Sequence, residues 1–368
     1  MTDTRNRSAL TPRLLKEGDE EALLALLTTA FGGWPNKDLS VEPIDHLRWK
    51  LRWDSSPPPE HTVIELDSQL VGAECTFAHT FRAKDRELRV FESVNSCVHP
   101  DYQKRGIYGR VYAFTMENIA PKMDVHLTAS TVPAIVRVAS RPGRRRPLAN
   151  AIEVCVRPLT FWPLASGGQR SGNTRRRLLK AGAYLGLFCV DLVRSRPRRP
   201  TPSDWSLERT SRFDERFDVF ADEASTAFDF IGSRRADYLN WRYADRRAGN
   251  FVITLAETPD RILGFSVLSA SRGRALVADL LALPGRADVA DSLIVDSIRN
   301  ARAVGAAAIE CRLPKHHPYR PLLRRAGFFR TTNAACFFEA VGVPEDAIAF
   351  LDNPGASVHL TLGDSDIG

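Results

Sequence analysis

Apolar and polar residues follow two rhythms along this chain, and each rhythm predicts one kind of element. Short β-branched or alternating runs mark strands at residues 10–15, 62–66, 70–77, 87–98, 125–130 and 151–156. Among them, Leu23, Leu24, Leu26, Leu27 and Phe31 form an apolar helical stripe that starts behind Gly18-Asp19. Residues 44–53 predict a second helix, stopped by Ser55-Ser56 and Pro57-Pro58-Pro59. A third spans 110–119. Asp67-Ser68-Gln69 joins its flanking strands as a hairpin turn, and the first seven residues read as a loose tail.

Farther on the same order returns. Strands are predicted at 251–256, 264–270, 275–283 and 306–313, with a helix over 289–304 and a helix ending in Gly327-Phe328 over 319–328. Asp237-Tyr238-Leu239-Asn240-Trp241-Arg242-Tyr243 echoes His46-Leu47-Arg48-Trp49-Lys50-Leu51, and Ile262-Leu263-Gly264 echoes Leu70-Val71-Gly72. Trp49 and Trp241 are 192 residues apart, as are Gly72 and Gly264. Equal offsets in two elements argue for duplication, with the two tryptophans filling equivalent core corners. A chain of 368 residues accommodates roughly two domains. We divide it into residues 1–160, a basic Pro/Gly/Arg-rich linker at 161–203, a second domain at 204–345 and a tail at 346–368.

The most informative stretch is Ser96-Cys97-Val98-His99-Pro100-Asp101-Tyr102-Gln103-Lys104-Arg105-Gly106-Ile107-Tyr108-Gly109-Arg110. A strand ends at His99-Pro100, a basic loop with two glycines follows, and a helix begins. Such a loop can aim several backbone N–H groups at one point, to which the helix adds the positive end of its dipole; the result is an anion site. The segment resembles motif A of the GNAT acyltransferase superfamily, Gln/Arg-x-x-Gly-x-Gly/Ala, which wraps the pyrophosphate of acyl-coenzyme A. Gln103 and Gly106 match, whereas Tyr108 stands where the family carries Gly or Ala and Gly109 follows one place later. The order of flanking elements is also similar to that family.

The resemblance implies an α/β (α+β) chain of two GNAT-like domains, each a mixed, mostly antiparallel twisted sheet flanked by helices. It implies acetyl-CoA or another acyl-CoA as co-substrate, held by Cys97, Val98, Gln103, Lys104, Arg105, Gly106, Ile107, Tyr108 and Gly109, with the acyl arm entering between the 87–98 and 125–130 strands. An amine then attacks the thioester directly. That chemistry needs a base, an oxyanion donor and an exit for the thiolate. Glu92 is the candidate base, a backbone N–H near Val98 the oxyanion donor, Asn95 a residue to position water, and Ser130 a partner for the pantetheine or leaving group. Many relatives carry a tyrosine on the next helix as general acid; Val138 stands near that position and no tyrosine occurs over 131–140. The second domain's Pro284-Gly285-Arg286-Ala287 lacks paired glycines, so that copy is expected to be degenerate.

Composition narrows the setting. The net charge of +7 is concentrated: residues 137–199 hold about 15 Arg or Lys against Glu153 and Asp191. This stretch is either a solvated arginine-rich surface or a site for an anionic partner, a membrane surface among them. Within it, the apolar residues 178–193 are too few to span a bilayer and read as an interdomain helix or an interfacial anchor. Six scattered cysteines lack C-x-x-C spacing, which suggests neither zinc nor a disulfide framework. Cys97 reads as buried core, and His316-His317 as a surface loop without a metal. With no signal-peptide pattern, a cytoplasmic setting is expected, peripheral at the membrane if the basic stretch binds it. The acceptor would be a small-molecule amine, such as an amino sugar. A catalytically inactive acyl-CoA-binding regulator and a Fem-like aminoacyl transferase are the rival readings. Nucleic acid is disfavoured by the scarcity of aromatics among the basic residues.

Overall fold

Residues 10–35, 37, 39–51, 59–130, 132–140, 143, 145–160, 204–269 and 273–365 are described by the structure, a computed structural model. The first half runs β1 (Pro12–Leu14), α1 (Glu20–Phe31), α2 (Pro43–Leu51), β2 (Thr62–Leu66), β3 (Gln69–Ala83), β4 (Arg86–Val98), α3 (Ile107–Asn118), β5 (Val125–Ser130), α4 (Pro133–Ala139), β6 (Arg146–Pro147) and β7 (Ile152–Pro158). The second runs β8 (Ser206–Thr210), α5 (Arg216–Ser225), β9 (Phe230–Gly232), α6 (Ala236–Leu239), β10 (Phe251–Glu257), β11 (Ile262–Ser269), β12 (Arg274–Ala282), α7 (Ala287–Ala303), β13 (Ala308–Pro314), α8 (Arg320–Arg325), β14 (Phe329–Ala340) and β15 (Val358–His359). The strands form one mixed sheet in the order β1-β2-β3-β4-β5-β14-β7-β13-β12-β11-β10-β8.

Each half is an antiparallel meander that ends in one parallel pair, β4 with β5 and β12 with β13. The closing strands are then exchanged. β14, from the second half, pairs with β5 of the first, and β7, from the first half, pairs with β13 of the second. β7 and β14 also pair with each other and seal the middle. The division near residues 160 and 204 is therefore a division of sequence, not of sheet.

Both repeated motifs have a packing reason. A Cβ on Gly72 would lie 2.5 Å from Ile107 at the start of α3, and one on Gly264 would lie 2.8 Å from Val289 in α7. In each copy, only glycine lets the helix sit this close to the meander. The tryptophans do not occupy separate corners. Trp49 stacks on Trp241 with ring centroids 5.0 Å apart, and its indole N–H donates to the Trp241 carbonyl at 3.0 Å. Equivalent residues meeting each other, together with reciprocal strand exchange, place a pseudo-twofold relation between the halves.

Residues 346–365 are not a loose tail. Ile348 and Leu351 are buried, β15 pairs with β9, and β9 pairs with β3 of the first half. The chain then enters the second half beside β12. There Arg234, itself buried, reaches Asp279 at 2.7 Å and Asp364 at 2.7 Å, and the Thr361 hydroxyl and Tyr243 hydroxyl lie 3.3 and 3.1 Å from the Asp279 carboxylate. The linker 161–203, with its apolar segment 178–193, lies outside the described residues. Among those described, no helix is long and apolar enough to cross a membrane.

Candidate active site

The bend between β4 and α3 is open to solvent, with Gln103, Lys104, Arg105, Gly106, Tyr108 and Gly109 all exposed. Lys104 and Gly106 adopt positive φ angles of 63° and 77°, which turn the backbone sharply ahead of the helix. No acceptor among the described residues meets the N–H groups of Lys104, Arg105, Gly106, Ile107 or Gly109. The Arg110 N–H is tied back to the Gly106 carbonyl at 3.3 Å. Unpaired amides, the α3 dipole and the cations of Lys104 and Arg105 together fit a diphosphate.

The expected residues contribute unequally. Ile107 buries its side chain against Ile64, Val71 and Val111, so its N–H is what faces the bend. Tyr108, the departure from the motif, lays its ring along the helix toward Tyr112, with centroids 6.2 Å apart. The space in front of Gly106 and Gly109 is left open, since an added Cβ meets nothing within 4 Å at either. Arg105 stacks over Tyr102 at 5.0 Å, and Gln103 Nε2 lies 3.5 Å from the Val98 carbonyl. The helix starts at Ile107, three residues before the predicted 110, because Gly106 can take the left-handed N-cap conformation.

Next to the bend lies a gap in the sheet. β4 and β5 pair over Val90–Glu92 and Val125–Leu127; no ladder joins them beyond that point, although β4 runs to Val98 and β5 to Ser130. The carboxylate of Glu92 reaches across this opening and accepts the Ala129 N–H at 3.0 Å. Glu92 is 6 % exposed, so it is not a solvent-facing strand acid. Just past the end of β4, the His99 N–H bonds to the Val71 carbonyl of β3 at 3.0 Å. Because successive amides of a strand point to opposite edges, the Val98 N–H faces away from β3, on the side of the gap.

Asn95 sits in a bulge, at φ 51°, where register slips between Ala73 and Cys75 of β3. Its Oδ1 accepts the indole N–H of Trp34, on the α1–α2 connection, at 3.4 Å. Ser130 uses its Oγ to accept the Val132 N–H at 3.0 Å and so shapes the entry to α4. Cys97 is buried among the α1 leucines, where desolvation pushes its thiol up to about 12. It stays protonated at neutral pH and is no nucleophile. His317 is buried, not on a surface loop, with Nε2 2.9 Å from His359 Nδ1. Among the described residues no group of three or more His, Cys, Asp or Glu is placed to hold a metal ion.

Behind the gap, on the face covered by α3, lies a polar layer that sequence reasoning missed. Glu74, fully buried in β3, accepts from Ser93 Oγ at 3.1 Å and Ser96 Oγ at 3.2 Å, and burial raises its pKa. Ser93 Oγ is 3.3 Å from His126 Nε2, and Arg145 joins Tyr112 at 2.6 Å to His126 at 3.4 Å. Serine hydroxyls that hold Glu74 fix the bulge from behind. The available signal was a carboxylate inside the apolar run Leu70-Val71-Gly72-Ala73-Glu74-Cys75.

In the second half the corresponding features are missing or filled. β12 turns into α7 through residues 283–286 instead of the eight residues 99–106, and the Arg286 side chain is tied to Asp288 at 2.8 Å. β12 and β13 also part, after Val277 and Cys311, and Thr361–Asp364 lie beside the freed end of β12.

No family model matches the chain, and no curated protein matches it. Solved structures do. A GCN5-related N-acetyltransferase from Kribbella flavida superposes with a TM-score of 0.57 at 15% identity over 92% of this chain and 73% of its own. A tandem GNAT protein from the clavulanic acid biosynthesis pathway gives 0.54 at 14% identity, covering 91% of this chain and all (100%) of that one. N-myristoyltransferase of Saccharomyces cerevisiae with bound myristoyl-CoA gives 0.56 at 10% identity over 91% and 80%. The fold is thus that of GNAT acyltransferases, in a tandem arrangement.

Proposed function

We propose that the chain is an acyl-CoA-dependent N-acyltransferase whose donor site lies in residues 1–160, with residues 204–345 a degenerate copy. The observation that carries the reading is the conjunction of the Lys104, Arg105, Gly106, Ile107 and Gly109 amides, which meet no acceptor among the described residues, with the gap between β4 and β5 directly beside them. Backbone N–H groups of the bend hold the diphosphate of the acyl-CoA substrate, and Lys104 and Arg105 neutralise it. The acyl arm follows the gap, where the Val98 N–H offers a hydrogen bond to the thioester oxygen as negative charge grows there.

Glu92 takes the proton that the attacking amine loses. A C–N bond forms, the C–S bond breaks, and coenzyme A departs as the thiolate, which water can protonate. Burial of Glu92 excludes bulk water from that transfer. A small-molecule amine such as an amino sugar is the proposed acceptor, in a cytoplasmic setting; the charge of residues 137–199 supports a peripheral contact with anionic lipid.

Release of free thiol from acetyl-CoA on adding amines, with thermal stabilisation by coenzyme A, is the expected result. Stabilisation without turnover would favour an acyl-CoA-binding regulator, and the absence of both would remove the reading.

A further inference from the structure

The structure leaves one polar group beside the gap without a function. The Asn95 Nδ2 has no hydrogen-bond partner among the described residues and is closed off from solvent. Its orientation is fixed by chemistry. An indole N–H can only donate, so the bond from Trp34 selects the amide oxygen and leaves the NH2 as the free end. Trp34 is itself held in place: Gly32 and Gly33 turn the connection after α1 with φ of 68° and 129°, and the Trp34 ring lies 5.5 Å from that of His46. A donor kept without a partner at a bulge costs free energy, which a ligand oxygen would recover.

The second half shows how the matching end of its strand is satisfied. Val98 pairs with Gly72, and Ala282 pairs with Gly264; by register Asp279, opposite Val267, answers to Val94, opposite Cys75, and so stands one residue from the counterpart of Asn95. Asp279 holds Thr361 and Arg234, and Arg234 in turn holds Asp364. A peptide segment bearing polar groups thus lies against the matching end of β12. At that end of its strand the first half offers a donor, Asn95 Nδ2, in place of an acceptor.

Resting on the N-acyltransferase reading, we propose that Asn95 is the specificity-determining residue for the acceptor. Its Nδ2 donates to an acceptor oxygen, so the enzyme selects amines that carry a hydroxyl or carbonyl oxygen over hydrocarbon amines of the same size. Glu92 and Asn95 are three strand positions apart, roughly 10 Å of backbone before the bulge shortens it. The recognised oxygen therefore lies several bonds from the reacting nitrogen, as in an amino sugar.

The test compares glucosamine with cyclohexylamine, both with acetyl-CoA. Wild-type protein should favour glucosamine in kcat/KM by about tenfold, mainly through KM. Asn95→Gly, which suits the positive φ, and Asn95→Asp, which keeps the shape and the bond to Trp34 but replaces the donor, should bring the ratio close to one. Equal preference in wild type overturns the proposal. So does an equal fall for both amines in both variants, which would assign Nδ2 to the thioester shared by the two reactions. Calorimetric titration of the two amines into the complex with coenzyme A reads the same preference as affinity. An Asn95-dependent difference there without turnover would overturn the transferase reading and leave the recognition site standing; equal affinities would overturn the recognition site. Stabilisation by coenzyme A confirms that each variant is folded.

Discussion

The two halves share a meander, a glycine that admits a helix and a pair of strands that part company, yet they treat the opening in opposite ways. In the first, Glu92 leans into the gap, and the amides of Lys104 to Ile107 beyond it meet no acceptor among the described residues. In the second, the chain brings its own residues to the freed strand and fixes them with Arg234, Asp279 and Asp364, all buried. A gap in a sheet exposes backbone groups that must find partners. One copy answers with its own chain; in the other, on the function proposed above, a ligand does.

The largest effect on this contrast is expected from Glu92→Gln. It should lower kcat by about a hundredfold or more while acetyl-CoA affinity is kept, since the carboxamide still accepts from Ala129. Steady-state kinetics beside calorimetry would show it, and equal activity would remove Glu92 as the base. Arg234→Met attacks the other half. It strands two buried carboxylates and should cost about 3–5 kcal/mol in urea unfolding; adding Asp279→Asn and Asp364→Asn should recover much of that.

Gly72→Ala and Gly264→Ala sharpen the comparison further. Each new methyl collides with a helix and should destabilise by about 1–3 kcal/mol. Only Gly72→Ala, which displaces Ile107 and the bend before it, should also weaken acetyl-CoA binding. Equal weakening by both would place the donor site elsewhere.

The smallest expected effect is on pH dependence. Burial lowers His61 to about 4 and His79 and His126 to about 3, with the charge of Arg145 contributing at His126. From about 6.5 downward the unfolded chain binds protons that the folded one refuses. The associated stability is complete above that pH and is lost on acidification through the window down to 3 or 4, at up to about 1.4 kcal/mol per pH unit for each group. Glu74, raised by burial, acts in the opposite sense and offsets part of the loss. Melting temperatures at pH 7 and 5 would measure the difference, and His126→Gln should shrink it.

Much of the first half was legible because its signals are local. The Gln103–Gly109 bend follows from glycine placement and charge, and the turn at Asp67-Ser68 is set by two residues at positive φ. The strand exchange was not legible. In β7 both faces are buried from Ile152 to Arg157, so alternation cannot say which neighbours the strand will take. β3 extends to Ala83, past the predicted 77, because β9 and β15 cover its far end, and that contact depends on residues about 150 and 280 positions away. Asn95 was picked out by its place on the strand. Its partner Trp34 was not, since nothing in Gly32-Gly33-Trp34-Pro35 announces a meeting across 61 residues.

Reciprocal lending of β7 and β14 has a consequence for how the molecule can be taken apart. Neither half owns the rib that completes its sheet, so a fragment ending at 160 would display an orphan edge and a stranded β7. The two fragments made together, however, hold matching missing pieces. A backbone cut between 161 and 203 should therefore leave one particle, clasped by hydrogen bonds where the peptide no longer runs.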